Sequence, residues 1–296
     1  MFKIIKKRYL APNIYLMDVE VPRVARAANP GQFVIVKMDE KGERIPLTIC
    51  DYDKTAGTVT IVFQTMGSST KRMALMEEGE YFDDFVGPLG RPSEFVEEDI
   101  EELKKKKIMF VAGGVGAAPV YPQVKWLHER GIDADAIVGC KSKDYLLLEE
   151  EMKNATRDFY IATDDGTYGY RGFVTDLLKD LIEKEGKKYD VVVAIGPMIM
   201  MKFITKLTNN YGIKTIVSMN PVMVDGTGMC GGCRLTVDGK TKFACVDGPE
   251  FDGGLVDFDE AMRRSAQYKS EEGRAEIRRQ EKEEGHVCNL GLEGNK

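Results

Sequence analysis

Over residues 1–100, apolar and polar positions alternate in short bursts. The runs 13–21, 32–38, 58–64 and 80–86 are rich in Val, Ile and Phe, and Gly or Pro bounds them. Short β-like runs at such close spacing predict a small antiparallel β barrel. Gly87-Pro88-Leu89-Gly90 closes this region, and the charged stretch 97–107 leads out of it.

From Lys107 the rhythm changes to strand, glycine turn, helix. Residues 108–112 form an unbroken apolar run, Gly113-Gly114-Val115-Gly116 follows, and a helical pattern runs through 123–130 until Gly131. Further apolar runs at 134–139, 159–162, 190–195 and 214–218 are separated by helical stretches such as 175–184 and 198–208. Strands alternating with helices predict an α/β domain with a doubly wound parallel sheet over 101–220. The Met-rich face of 198–208 reads as packing. After Asn220-Pro221 the alternation stops, leaving a small segment, 221–256, and a densely charged tail, 257–296. Met262, Ala266 and Ile277 recur in that tail at heptad-like spacing, so it reads as a solvated helix free to lie on a partner.

Composition narrows the class. The 296 residues suffice for two compact domains and an appendage, and the hydrophobic share of 43% is that of a soluble globular protein. A formal net charge of −6 argues against a nucleic-acid binder. The chain holds no apolar run of about 18 residues, so no membrane span is expected. Lys3, Lys6, Lys7 and Arg8 near the start accompany no apolar stretch of signal-peptide length, which predicts a cytoplasmic protein. Of the six cysteines, Cys230, Cys233 and Cys245 crowd together, while Cys50, Cys140 and Cys288 are scattered. Clustered thiols in an intracellular chain read as metal ligands, not as a disulfide framework. Cys50 and Cys140 read as core residues, and His286 with Cys288 is too sparse for a site.

The glycine turn carries the first chemistry. Gly113, Gly114 and Gly116, with Val115, Ala118 and Pro119, follow a strand and open a helix, where backbone amides can approach a pyrophosphate. Two more loops fall at strand ends: Asp164-Asp165-Gly166 and Gly196-Pro197-Met198. Open parallel sheets bind ligands at those carboxyl ends. A barrel followed by Gly-Gly-x-Gly-x-Ala-Pro and Gly-Pro-Met resembles the ferredoxin–NADP reductase superfamily. The resemblance implies that these loops hold a nicotinamide nucleotide. Ile195 stands where the family often has Cys. NADP-specific members tend to carry Ser and Arg where this chain has Asp164 and Asp165, whose charge would repel a 2′-phosphate and accept from a ribose hydroxyl. The expectation is NAD(H).

The same resemblance implies FAD on the barrel. Its Arg-x-Tyr-Ser/Thr motif aligns with Ile45-Pro46-Leu47-Thr48: Thr48 takes the hydroxyl role, Leu47 replaces the aromatic, and Arg44 lies one position early. Gly67-Ser68-Ser69-Thr70 resembles the family's second phosphate loop, so Gly67, Ser69 and Thr70 are expected at the flavin, bordered by Val62, Phe63 and Gln64.

Asp225-Gly-Thr-Gly-Met-Cys230-Gly-Gly-Cys233, with Cys245 further on, has the spacing of a plant-type [2Fe–2S] site with Asp225 in the first position. The glycines let backbone amides approach the cluster. Three thiolates and a carboxylate also suit a structural zinc ion, giving the rival reading of a zinc-stabilised regulatory module. Position after a flavin–nicotinamide module favours iron–sulfur. The segment resembles that of dihydroorotate dehydrogenase electron-transfer subunits. With Asp225 and the preceding Asn220-Pro221-Val222-Met223-Val224, it is closer to the small (alpha) subunits of NADH-dependent, electron-bifurcating ferredoxin:NADP oxidoreductases. That resemblance implies hydride passage between NAD(H) and FAD, single electrons to the cluster, and no acid–base catalytic residue. It also implies a larger flavin and iron–sulfur partner subunit, through which ferredoxin is reached.

Overall fold

In the computed structural model, which describes residues 1–283, the chain opens on a strand, β1 (Phe2–Ala11). The hydropathy pattern hides it because only Ile4 and Ala11 along its length are fully buried between lysines and exposed aromatics. A turn at Asn13, with a left-handed φ of 63°, reverses the chain into β2 (Ile14–Glu20). The helix α1 (Pro22–Ala27) precedes β3 (Phe33–Lys37), β4 (Ile45–Asp53) and β5 (Thr58–Gln64); α2 (Ser68–Met73) precedes β6 (Tyr81–Phe82) and β7 (Asp84–Leu89). These seven strands form one antiparallel row, β6-β1-β2-β5-β4-β3-β7. Its two ends are neighbours in sequence, joined at Asp83, so the sheet nearly closes into the expected barrel. Met17, Val19, Val34, Val36, Ile61 and Phe63 fill it.

A short helix, α3 (Ile100–Leu103), capped by the Asp99 carboxylate on the amides of Glu101 and Glu102, leads to the second sheet. There β8 (Ile108–Gly113), α4 (Ala117–His128), β9 (Asp135–Cys140), α5 (Glu149–Ala155), β10 (Phe159–Thr163), β11 (Tyr170–Arg171), α6 (Val174–Glu183), β12 (Val191–Ile195), α7 (Met198–Asn209) and β13 (Lys214–Ser218) alternate. The order β11-β10-β9-β8-β12-β13 is parallel throughout, with the connection direction reversing between β8 and β12. This is the doubly wound α/β sheet predicted from the strand–helix rhythm. Apolar residues of α4 and α5 cover one face and those of α6 and α7 the other. The first face continues without a gap into Leu16, Cys50 and Val62 on the outside of the barrel.

Beyond Asn220 lie the hairpin β14 (Arg234–Val237) and β15 (Lys240–Phe243), then β16 (Glu250–Asp252). β16 pairs antiparallel with β13, Ser218 opposite Glu250, and so becomes the edge of the nucleotide sheet. Met223, Cys233, Leu235 and Cys245 share an apolar cluster with Phe33 and Ile35 of the barrel.

The tail is packed at its start and solvated beyond it, with Ala266 and Ile277 exposed. α8 (Phe258–Ser265) buries Phe258 and Ala261, and α9 (Lys269–Glu283) returns to the barrel, where Glu276 meets Lys71 of α2. Tail residues beyond these, including His286 and Cys288, lie outside the described residues. Among the described residues no helix is long and apolar enough to cross a membrane.

Candidate functional site

The nucleotide loops meet where β8 and β12 part company. A Cβ on Gly116 would stand 2.2 Å from the carbonyl oxygen of Ile195, and one on Gly196 would stand 3.0 Å from the amide of Gly113. Backbone presses on backbone here, so only glycine fits, and the two loops form one crevice at the carboxyl end of the sheet. Val115, Pro119 and Met198 remain half-exposed at its mouth, Pro197 is exposed, and Ala118 packs into the core below. Ile195, at the position of the family's frequent Cys, is buried.

Asp164 and Asp165 lie at the end of β10, two strand spacings from the crevice, roughly 10 Å. Their roles separate. Asp165 turns back onto its own loop, accepting from the Thr167 amide at 3.0 Å and the Thr167 hydroxyl at 2.7 Å, which hold its carboxyl below the usual carboxylate range. Asp164 is exposed, and no neighbour among the described residues takes up its carboxylate. The first organises the turn; the second is available to a ribose hydroxyl.

The stretches assigned to flavin meet at a seam. β4 pairs with β3 through Ile45, Pro46, Leu47 and Thr48, then changes partner and pairs with β5 from Ile49 onward. β5 meets β4 only as far as Ile61, so Val62, Phe63 and Gln64 pair with β2 alone. The barrel wall is therefore parted between residues 45–48 and 62–64, with unpaired backbone donors and acceptors on both lips. Backbone groups so placed need partners from water or a ligand. Phe63 points into the barrel and stacks on Tyr15 at 5.8 Å, and Val62 packs on the nucleotide domain, so their side chains do not face it. Thr48 and Leu47 are half-exposed.

Gly67 precedes α2, with nothing within 4 Å of where its Cβ would be. The Thr70 hydroxyl closes the turn, accepting from the amides of Met66 at 2.9 Å and Gly67 at 3.1 Å, while the Ser69 hydroxyl donates to Glu43. Arg44 does not turn to this loop. Its Nε donates to the Val224 carbonyl at 2.9 Å and its Nη2 to the Asp225 carbonyl at 3.3 Å, and Asp84 pairs with Nη1 at 3.1 Å. One residue off the motif puts it on the other side of a strand.

In the cysteine segment, Cys233 and Cys245 are buried with their sulfurs 3.2 Å apart, whereas Cys230 is exposed and accepts from the Gly232 amide at 3.4 Å. Asp225 is half-buried and aims its carboxylate at its own loop. It accepts from the amides of Thr227 at 2.8 Å, Met229 at 3.0 Å and Cys230 at 3.1 Å, and those amides, Thr227 foremost, hold it below the ordinary range. Among the described residues, no three histidine, cysteine or carboxylate side chains gather around one point. What the fold brings together is the thiol pair, with Cys230 and Asp225 on the glycine-rich turn above it. Burial raises the Cys245 thiol, so a metal would have to displace its proton. Three thiols, one carboxylate and a glycine loop suit an iron–sulfur cluster. A Cβ on Gly226, whose φ is +80°, would strike Ile35 at 2.6 Å and Leu89 at 2.8 Å, so this turn rests directly on the barrel.

One half-buried carboxylate escaped the sequence reading. Glu250 accepts from the Ser93 hydroxyl at 3.0 Å and the Gln123 amide at 2.8 Å, joining the barrel exit, α4 and β16. The available signal was a carboxylate set between Gly248-Pro249 and Phe251.

Comparison with known proteins identifies two regions of the chain. The family described as the iron-sulfur cluster binding domain of dihydroorotate dehydrogenase B matches residues 220–257, and the oxidoreductase NAD-binding domain matches 110–206. The chain is 62% identical to an uncharacterised Clostridium beijerinckii protein over 98% of its length and 97% of that protein's. It is 44% identical to the Thermotoga maritima homologue of the dihydroorotate dehydrogenase B (NAD(+)) electron transfer subunit, covering 91% of this chain and 92% of that one. Among solved structures, a chain of the flavin-bifurcating NADH-dependent reduced ferredoxin–NADP oxidoreductase superposes with a TM-score of 0.86 at 41% identity, over 94% of this chain and 97% of that one. An Amycolatopsis cytochrome P450 reductase, at 15% identity and a TM-score of 0.58 over 71% of this chain and 65% of that one, shares the fold alone.

Proposed function

Because this chain belongs to the family of dihydroorotate dehydrogenase B electron-transfer subunits and their homologues, we propose that it is the electron-transfer subunit of an NADH-dependent ferredoxin:NADP oxidoreductase. One observation carries the reading. The cysteine loop rests on Ile35, and Ile35 pairs with Pro46 on the lip of the flavin seam. The places for a flavin and for a cluster thus meet across one strand pair, β3 and β4, whose spacing is about 5 Å.

The loops at Gly113–Gly116 and Gly196-Pro197-Met198 would hold the nicotinamide nucleotide, with Asp164 on the ribose. Thr48 and the backbone of residues 45–48 and 62–64 would hold FAD, with Gly67 at its phosphates. Cys230, Cys233, Cys245 and Asp225 would hold the [2Fe–2S] cluster. FAD when bound takes hydride in pairs of electrons and yields electrons singly, which joins a nicotinamide to a one-electron cluster. The protein's residues would position these groups, and none would serve as an acid or base. One chain with one small cluster offers no second electron branch. We therefore assign a larger flavin and iron–sulfur partner subunit, with ferredoxin reached through it, in the cytoplasm.

The purified chain is expected to carry flavin and [2Fe–2S] absorption, and NADH to reduce it faster than NADPH in stopped flow. A colourless, zinc-containing protein would establish the regulatory-module reading instead. Asp225→Ala is expected to lose the cluster signal and Asp225→Cys to keep it with altered spectrum; an unchanged spectrum and midpoint in Asp225→Ala would exclude the carboxylate as a ligand. The names of the relatives favour a second reading, a dihydroorotate dehydrogenase partner; co-purification separates the two.

A further inference from the structure

The backbone of the cysteine segment is held from outside by three arginines on three different parts of the molecule. Arg44, at the start of β4, takes the carbonyls of Val224 and Asp225 at 2.9 and 3.3 Å. Arg91, just past β7, takes the carbonyl of Val246 at 3.3 Å. Arg264, on α8 of the tail, takes the carbonyls of Arg234 at 3.1 Å and Gly232 at 3.4 Å. These carbonyls bracket the proposed ligands: Asp225 itself, Gly232 beside Cys233, and Val246 beside Cys245.

A trans peptide is planar, with its C=O and the following N–H on opposite sides. Drawing the Asp225 carbonyl toward Arg44 turns the Gly226 amide away from that arginine, and drawing the Gly232 carbonyl toward Arg264 does the same for Cys233. Amides directed at cluster sulfurs are one of the levers that set a cluster's potential, and nearby charge is another. Among the described residues only Arg44 of the three has a carboxylate ion-pair partner, Asp84 at 3.1 Å. Three guanidinium groups, one of them paired, thus place positive charge on the outside of a segment that carries the carboxylates of Asp225 and Asp247.

We propose that Arg44, Arg91 and Arg264 are positioning residues that fix the amide directions of the cluster loop and raise the reduction potential of the [2Fe–2S] cluster. The proposal rests on the reading that this segment binds the cluster. It also gives the tail a purpose, since α8 supplies one of the three. Positive charge favours the reduced, more negative cluster, so its removal shifts the midpoint downward.

The test uses the full chain as purified, with the cluster midpoint read by EPR-monitored titration and FAD content measured in parallel. Arg44→Gln, Arg91→Gln and Arg264→Gln are each expected to move the midpoint to more negative values with FAD content unchanged. Arg264→Lys should move it less than Arg264→Gln, and Asp84→Asn should move it the opposite way. A structural role alone would not reverse sign at Asp84. Midpoints and spectra unchanged in all three Gln variants would overturn the proposal. Loss of FAD from Arg44→Gln with an unmoved cluster would return that arginine to the flavin phosphate and overturn its part. A wild-type chain without any cluster would bring down the underlying reading instead, so the two failures are distinguishable.

Discussion

The two ends of the parallel sheet handle acidic side chains in opposite ways. At the amino end of β9, Asp135 is fully buried between two cations and a tyrosine, with Oδ2 hydrogen-bonded and Oδ1 met by ion-pair proximity alone. Arg157 lies 2.7 Å away, Lys187 3.7 Å, and the Tyr189 hydroxyl donates at 3.0 Å. At the carboxyl end, Asp164 is exposed and has no partner among the described residues. A buried charge matched within the fold makes the loss of either partner costly, whereas one left open is available to a ligand. Glu250 lies between these extremes. It is tucked beside the β13 edge, but only neutral donors, Ser93 and Gln123, reach it. Part of the residue still meets solvent, yet desolvation of the carboxyl dominates and pushes its pKa up to about 7.

The contrast can be broken at its strongest point. Asp135→Ala is expected to cost about 3 kcal/mol of stability, since two cations and a tyrosine lose a buried partner. Denaturant titration reads this, while NADH affinity of the folded fraction should stay at the wild-type level. A large loss of NADH affinity would show that the two ends are not independent. Next in size is Asp164→Asn. It should narrow the NADH-over-NADPH preference about 10- to 100-fold, the worth of a hydrogen bond to a charged acceptor, with little change in melting temperature. Asp165→Asn should loosen the turn and change the preference less; the reverse ranking would reassign the pair.

Glu250 gives the smallest and most pH-specific effect. Its folded pKa of about 7 lies above the ordinary 4.5, so the folded chain holds this proton more tightly than the unfolded one. The stabilisation is fully present below pH 4.5 and is lost as pH rises through about 7. Glu250→Gln should flatten the stability curve across that window and leave the variant about 1–2 kcal/mol more stable than wild type at pH 8. Parallel curves for the two proteins would show that Glu250 ionises without cost.

Legibility in the sequence followed the same division between local and assembled features. The nucleotide sheet was readable because each apolar strand and its glycine turn lie within a few residues, and β13 spans the run 214–218 unchanged. β1 was not, because a barrel strand with one outer face in water can carry four Lys and Arg among its ten residues. Arg44 illustrates the limit of a motif read along the chain: a shift of one residue sends a side chain to the opposite face, here onto a loop far ahead in sequence. The acidic tail had too few apolar residues to announce a docking helix, yet Phe258 and Ala261 are enough to seat α8. Glu250 depended on three segments meeting, which no local pattern encodes.

The pairing of Ser218 with Glu250 closes residues 219–249 into an excursion tied at its neck by two strands of the nucleotide sheet. Its departure and return are fixed by backbone ladder bonds that involve none of the cysteines. Such an excursion can open and reseat as a local unit while the sheet behind it stays folded. On the reading that this segment binds the cluster, insertion can therefore follow folding of the sheet, and a chain without its cluster is expected to keep the sheet and the packed residues Met223, Leu235 and Ala244 in place.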